Sequence, residues 1–180
     1  MRSIRLLLLL MMLSTAAFAQ SDAQKTFEKL KALSGTWEGK VTMDMPVAEA
    51  AQHSDMRVTL RTTSRGNAVM HEMTAAGPDD PITMFYLDEG RLLLTHYCDA
   101  GNRPRMEGKL SPDGKTLEFN FLDVAGSNLR EHMHHAKFTF IDANHHTEEW
   151  TFMLGDKEVH GHLDLHRTAD AGGAPGKWGK

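Results

Sequence analysis

The sequence predicts an all-β fold: a ten-stranded antiparallel up-and-down β-barrel preceded by a short helix. Three observations predict it. Polar and apolar side chains alternate with a period of two over positions 37–165, and the segments so marked are joined by short, turn-forming links. Ten such strands in sequence would also leave two unpaired edges unless the sheet closed on itself.

Ahead of the barrel pattern stands a different one. Arg2 and Arg5 are followed by an apolar run over 6–13 and by small residues ending in Ala17-Phe18-Ala19, the order of a secretory signal peptide. The run is far short of the roughly 20 residues a spanning helix needs, and no later segment is long and apolar enough to span. We therefore expect a signal peptide over 1–19, a barrel domain over 20–168 and a disordered tail over 169–180, in a periplasmic or secreted protein. Loss of Arg2 and Arg5 takes the formal net charge from −4 to −6, which argues against nucleic acid or an anionic membrane surface as partner. The single cysteine, Cys98, leaves the fold to its apolar core and hydrogen bonds.

Phe27, Leu30 and Leu33 stand at helical spacing, with Ser21 or Asp22 as N-cap and Gly35 beyond the end, so a helix is expected over 22–33. From Gly35 the period becomes two. Trp37, Val41, Met43 and Met45 form the apolar phase of the first strand, and Met56, Val58 and Leu60 that of the second. Further strands are expected over 67–76, 82–88, 91–98, 104–110, 116–123, 132–142, 146–154 and 157–167. Links such as Arg65-Gly66-Asn67, Asp88-Glu89-Gly90, Ser111-Pro112-Asp113-Gly114 and Leu154-Gly155-Asp156 carry turn chemistry. Two longer links, 46–54 and 124–131, are candidates for lid or rim segments. The end of the chain, Trp178 included, has no periodicity.

The segment Leu33-Ser34-Gly35-Thr36-Trp37-Glu38-Gly39, opening the first strand after a short helix, resembles the Gly-x-Trp start of calycin-type barrels: lipocalins, fatty-acid-binding proteins and nitrobindin-like barrels. The chain is also similar to bacterial exported proteins of lipocalin-like shape. The resemblance implies that Trp37 closes one barrel end against an arginine of the last strand, for which Arg167 is placed. Nitrobindin-like barrels bind haem through one histidine near the chain end, where His160 and His162 stand here. Both are out of phase with Val159, Leu163 and Leu165 and are expected to face solvent.

A closed barrel of this size has room for one small ligand. Taking the apolar phase as inward, Tyr86 follows Ile82 and Met84, His96 follows Leu92 and Leu94, and His132 and His134 precede Phe138 and Phe140. His146 and Glu148 fall in phase with Trp150 and Phe152. A small amphiphilic or apolar molecule held by Tyr86, His96, His134, Glu148 and Trp150 is the expected partner. The bland alternative is that Glu148 and the histidines satisfy one another. A second functional reading is a zinc-type metal site, metal carrier or hydrolase, on His132, His134 and Glu148, because His-x-His on a strand aims two imidazoles to one side. His96 and Cys98 resemble a base and nucleophile but equally a core histidine beside a buried thiol. No catalytic residue is assigned, since phosphate-loop, Gly-x-Ser-x-Gly and His-Glu-x-x-His patterns are absent. The methionines are spread along the strands rather than bunched, as adaptable core filling would have them.

Overall fold

The computed structural model describes residues 21–44, 53–74 and 80–170. The signal peptide, Met45, most of the link at 46–54 and the tail beyond Asp170 with Trp178 lie outside the described residues. Helix α1 (Asp22–Ala32) begins where Ser21 Oγ accepts the Gln24 amide at 3.2 Å and buries Thr26, Phe27 and Leu30. Ten strands follow: β1 (Gly35–Met43), β2 (His53–Thr63), β3 (Ala68–Thr74), β4 (Ile82–Asp88), β5 (Arg91–Tyr97), β6 (Asn102–Leu110), β7 (Thr116–Gly126), β8 (Glu131–Asp142), β9 (His145–Leu154) and β10 (Lys157–Asp170). Each pairs antiparallel with the next, and β1 pairs with β10, so the sheet closes as the sequence predicts. The last strand runs on to Asp170, past position 168 where the domain was expected to end.

The β1–β10 seam depends on Gly39. It lies opposite Leu165, and a Cβ there would fall onto the carbonyl oxygen of Asp164, so any side chain would part the two strands. Beside it, Trp37 is fully buried and donates its indole N–H to the Leu33 carbonyl at 2.8 Å. The Arg167 guanidinium lies 4.1 Å from the Trp37 ring centre. It also donates to the carbonyls of Ser34 at 2.8 Å, Ala32 at 3.1 Å and Ala143 at 3.1 Å. One arginine thus satisfies carbonyls left over where α1 ends and joins the helix, the first strand and the β8–β9 turn. The Trp–Arg contact implied by the calycin resemblance is present.

The interior is continuous with the underside of α1: Phe27, Leu30 and Leu33 join Trp37, Leu60, Leu92, Leu117, Phe119, Phe138 and Leu165 in one apolar cluster. At mid-barrel, Phe85, Phe119 and Phe138 meet one another with centroids 5.2 to 6.0 Å apart, and Phe138 reaches Trp150 at 5.8 Å. Among the described residues, clefts of 360 to 640 Å³ are lined by groups such as Lys29 and Phe140, Arg91 and Glu107, His160 and His162, or Glu38 and Arg57, and these are not lined by His71, His96 or Glu148.

Because Arg167 acts through a planar fork that a lysine cannot reproduce, Arg167→Lys is expected to lower unfolding stability by about 1–3 kcal/mol. Urea unfolding checks this; an unchanged midpoint would remove Arg167 from the closure.

Candidate functional site

The alternation of β9 turns His146, Glu148 and Trp150 inward, with His146 and Glu148 wholly buried. An ionised carboxylate taken out of water needs donors on every side. Glu148 has three. His71, inward on β3 between Val69 and Met73, places Nε2 3.1 and 3.0 Å from the two carboxylate oxygens. His146 Nε2 stands 3.0 Å from Oε1, and the Trp150 indole N–H donates to Oε2 at 2.9 Å. A carboxylate only accepts, so both imidazoles must turn Nε2–H toward it, an assignment that follows from partner chemistry. Burial alone would raise the Glu148 carboxyl, but the facing imidazoles of His71 and His146 outweigh it and hold the group well below the usual carboxylate range. The His146 ring also meets the edge of Trp37 at 4.2 Å, tying this network to the helix end of the barrel.

A third buried imidazole lies nearer the far end of the barrel. His96 is 1% exposed, and its Nδ1 stands 2.8 Å from Thr83 Oγ1 on the neighbouring strand. Its ring lies 5.7 Å from Trp150. Burial, with the charge of nearby His71 adding to it, pushes the His96 imidazole down to about 4, so the ring is neutral near pH 7. Its Nε2 has no hydrogen-bond partner among the described residues. On the same β5–β6 hairpin, Asn102 donates to the carbonyls of Asn128 and Glu131, while its Oδ1 is buried without a partner among the described residues.

Of the residues expected to hold a ligand, His96, Glu148 and Trp150 are therefore inside. Tyr86 is not. The inward residues of β4 are Thr83, Phe85 and Leu87, and the Tyr86 hydroxyl bonds Thr95 Oγ1 at 3.0 Å across the outer face. Both phases of β4 are largely apolar, so polarity alone chose wrongly; the register Thr83↔His96 and Phe85↔Leu94 decides it. His134 is displaced for a different reason. The β8–β9 register shifts between Met133 and His135, a bulge that changes the phase of the strand, and Met133 packs against the core in place of a histidine. His132 and His134 are half-buried and stack on Phe121 with centroids 4.7 and 4.8 Å away, their facing nitrogens 3.2 Å apart. Burial, and then His134, lowers the His132 pKa.

The expected metal trio of His132, His134 and Glu148 is not brought together: Glu148 is enclosed by His71, His146 and Trp150, and the trio forms no ligand cluster among the described residues. His160 and His162 are exposed on the outer face of β10, as their phase predicts, so they do not fit an interior haem site. Cys98 lies just past β5, while His96 is turned inward to Thr83. Sequence reasoning missed His71, Thr83 and Asn102. His71 was legible from its place between Val69 and Met73; the other two are small polar residues whose burial is settled by partners on other strands and links.

No protein-family model and no curated protein sequence matches the chain. The crystal structure of Rv2717c from M. tuberculosis aligns with a TM-score of 0.56 at 14% identity, over 81% of this chain and 99% of that one. A protein of unknown function of the DUF3598 family from Nostoc punctiforme PCC 73102 aligns over 78% of this chain and 98% of its own at 9% identity, with a TM-score of only 0.26. The first likeness shows a shared fold, and the closed ten-stranded barrel fits the calycin type.

The depressed His96 pKa fixes a sign. The unfolded imidazole takes up a proton near pH 6.5 and the folded one only near 4, so stability falls as pH drops through that window, by roughly 3 kcal/mol in all. His96→Leu is expected to flatten that part of the stability profile, measured by urea unfolding at a series of pH values. An equal slope in both proteins would mean that His96 is not buried neutral.

Proposed function

We propose that the chain is an exported barrel that holds one small amphiphilic molecule at the end remote from α1. The ligand's polar group bonds His96 and its apolar body lies against the rim. Export is supported by the charged, apolar and small-residue order of residues 1–19. The observation that carries the binding reading is the His96 Nε2, a neutral ring nitrogen sealed in the interior with no partner among the described residues. Buried polar atoms are nearly always satisfied; His71 and His146 Nδ1 are also unpartnered among the described residues but belong to rings already held by Glu148, whereas His96 Nε2 stands toward the end remote from α1, where a ligand's hydrogen-bonding group would complete it. Asn102 Oδ1 offers a second such atom on the same hairpin.

The rim supports an apolar body. Met43, Tyr97, Leu122, Leu129 and Leu154 are 37 to 53% exposed, and all lie toward this end of the barrel. Glu148 contributes from behind. Its oxygens are engaged, so it positions Trp150, whose face adjoins His96, and does not touch the ligand. The His96 imidazole is a binding group in this reading, and no bond is made or broken.

The test uses cis-parinaric acid, a fluorescent amphiphile, titrated into tag-free protein. Wild type is expected to bind it, and His96→Leu to bind it about tenfold more weakly, the equivalent of one lost hydrogen bond. Without the probe, the variant's melting temperature should stay close to that of wild type, because loss of the unsatisfied Nε2 offsets loss of the Thr83 Oγ1 partner. Equal affinity in the two proteins, or no binding by wild type, would sink the proposal.

A further inference from the structure

We infer that the outer face of β9 and β10 carries a binding site for a borderline divalent transition metal, built from His145, Asp164 and His166. It lies outside the barrel and does not depend on the interior ligand.

His145 and His166 are direct cross-strand partners, and Asp164 precedes His166 by one pleat on the same face. Strand pairing therefore fixes all three Cα positions, and the donor atoms lie within 4.8 Å of one another. His145 Nε2 stands 2.7 Å and His166 Nε2 3.8 Å from the same oxygen, Asp164 Oδ1. The two imidazoles are stacked, 4.2 Å apart at 22°. Ligand atoms held about 2 Å from a zinc ion can stand up to about 4 Å from one another, so small side-chain rotations would seat an ion.

The neighbours leave the trio available. Lys40, the cross-strand partner of Asp164 on β1, is drawn away to Asp55 at 3.0 Å, so the nearest ammonium does not neutralise the carboxylate. Glu38, opposite His166, is held by Arg57 at 2.6 Å. Among the described residues this is the one cluster of three such groups with convergent donor atoms. Two imidazole nitrogens and one carboxylate oxygen suit zinc or copper(II) better than magnesium or calcium. Three protein ligands also leave a position for water or a donor from another molecule.

Calorimetric titration of tag-free protein with Zn²⁺ tests the site, with His166→Asn as the principal variant because its side chain is 63% exposed and its loss should not disturb folding. One equivalent is expected to bind wild type, and affinity to fall by more than about tenfold in His166→Asn and in His145→Asn. The double variant His160→Asn/His162→Asn, which alters the neighbouring exposed histidines, is expected to bind like wild type. Binding that survives both single variants, binding that is lost only with His160 and His162, or no binding at all would overturn the inference.

Discussion

Ten strands become a barrel only if the first and last meet, and the inside of this protein depends on that seam. At Gly39 the backbones approach too closely for any side chain, and one pleat away Trp37 sits under the Arg167 guanidinium. The cation does more than cover an aromatic face. By taking carbonyls from the end of α1 and from the β8–β9 turn it fixes the helix over one mouth of the barrel, so the apolar face of α1 becomes the upper layer of a single core. Without the seam, the inward phases of β1 and β10 would face water and the alternation along the other strands would have no common interior.

Below that cap the interior changes character. A carboxylate stands at mid-barrel, satisfied by two imidazoles and an indole, all fully or almost fully buried. Such a group is retained at a cost that a well-packed apolar substitute would avoid. Its return is positional: Trp150 cannot turn away while its N–H is engaged, and Trp150 lies against His96. The polar network and the His96 nitrogen are thus successive layers: in the first every Glu148 oxygen is engaged, although His71 and His146 keep an unpartnered Nδ1 among the described residues, and in the second the ring nitrogen Nε2 is left over.

How much of this the sequence discloses follows from how many faces each segment buries. Strands with one wet face show their phase in polarity, which is why β1, β2 and β9 read correctly, with the inward places of Glu148 and Trp150; His96 follows Leu92 and Leu94 although Leu93 is buried too, and the Trp37–Arg167 contact comes from the calycin resemblance. Where both faces are apolar, as in β4, polarity carries no phase and Tyr86 was read on the wrong side. A bulge is invisible for another reason: the extra residue near His134 leaves composition unchanged, so a phase carried back from Phe138 and Phe140 puts His132 and His134 inward where Met133 stands. The burial of Thr83 and Asn102 depends on hydrogen-bond partners that only the assembled fold supplies.

The bond from His71 to Glu148 joins β3 to β9, strands that are not neighbours in the closed ring. It is therefore a strut across the lumen, set part-way along the barrel axis. A tube braced at one level cannot widen uniformly: its cross-section is pinned there, and breathing is confined to the unbraced half beyond. Closed over by α1 at one mouth and tied side to side beneath it, the barrel keeps its slack at the mouth remote from the helix.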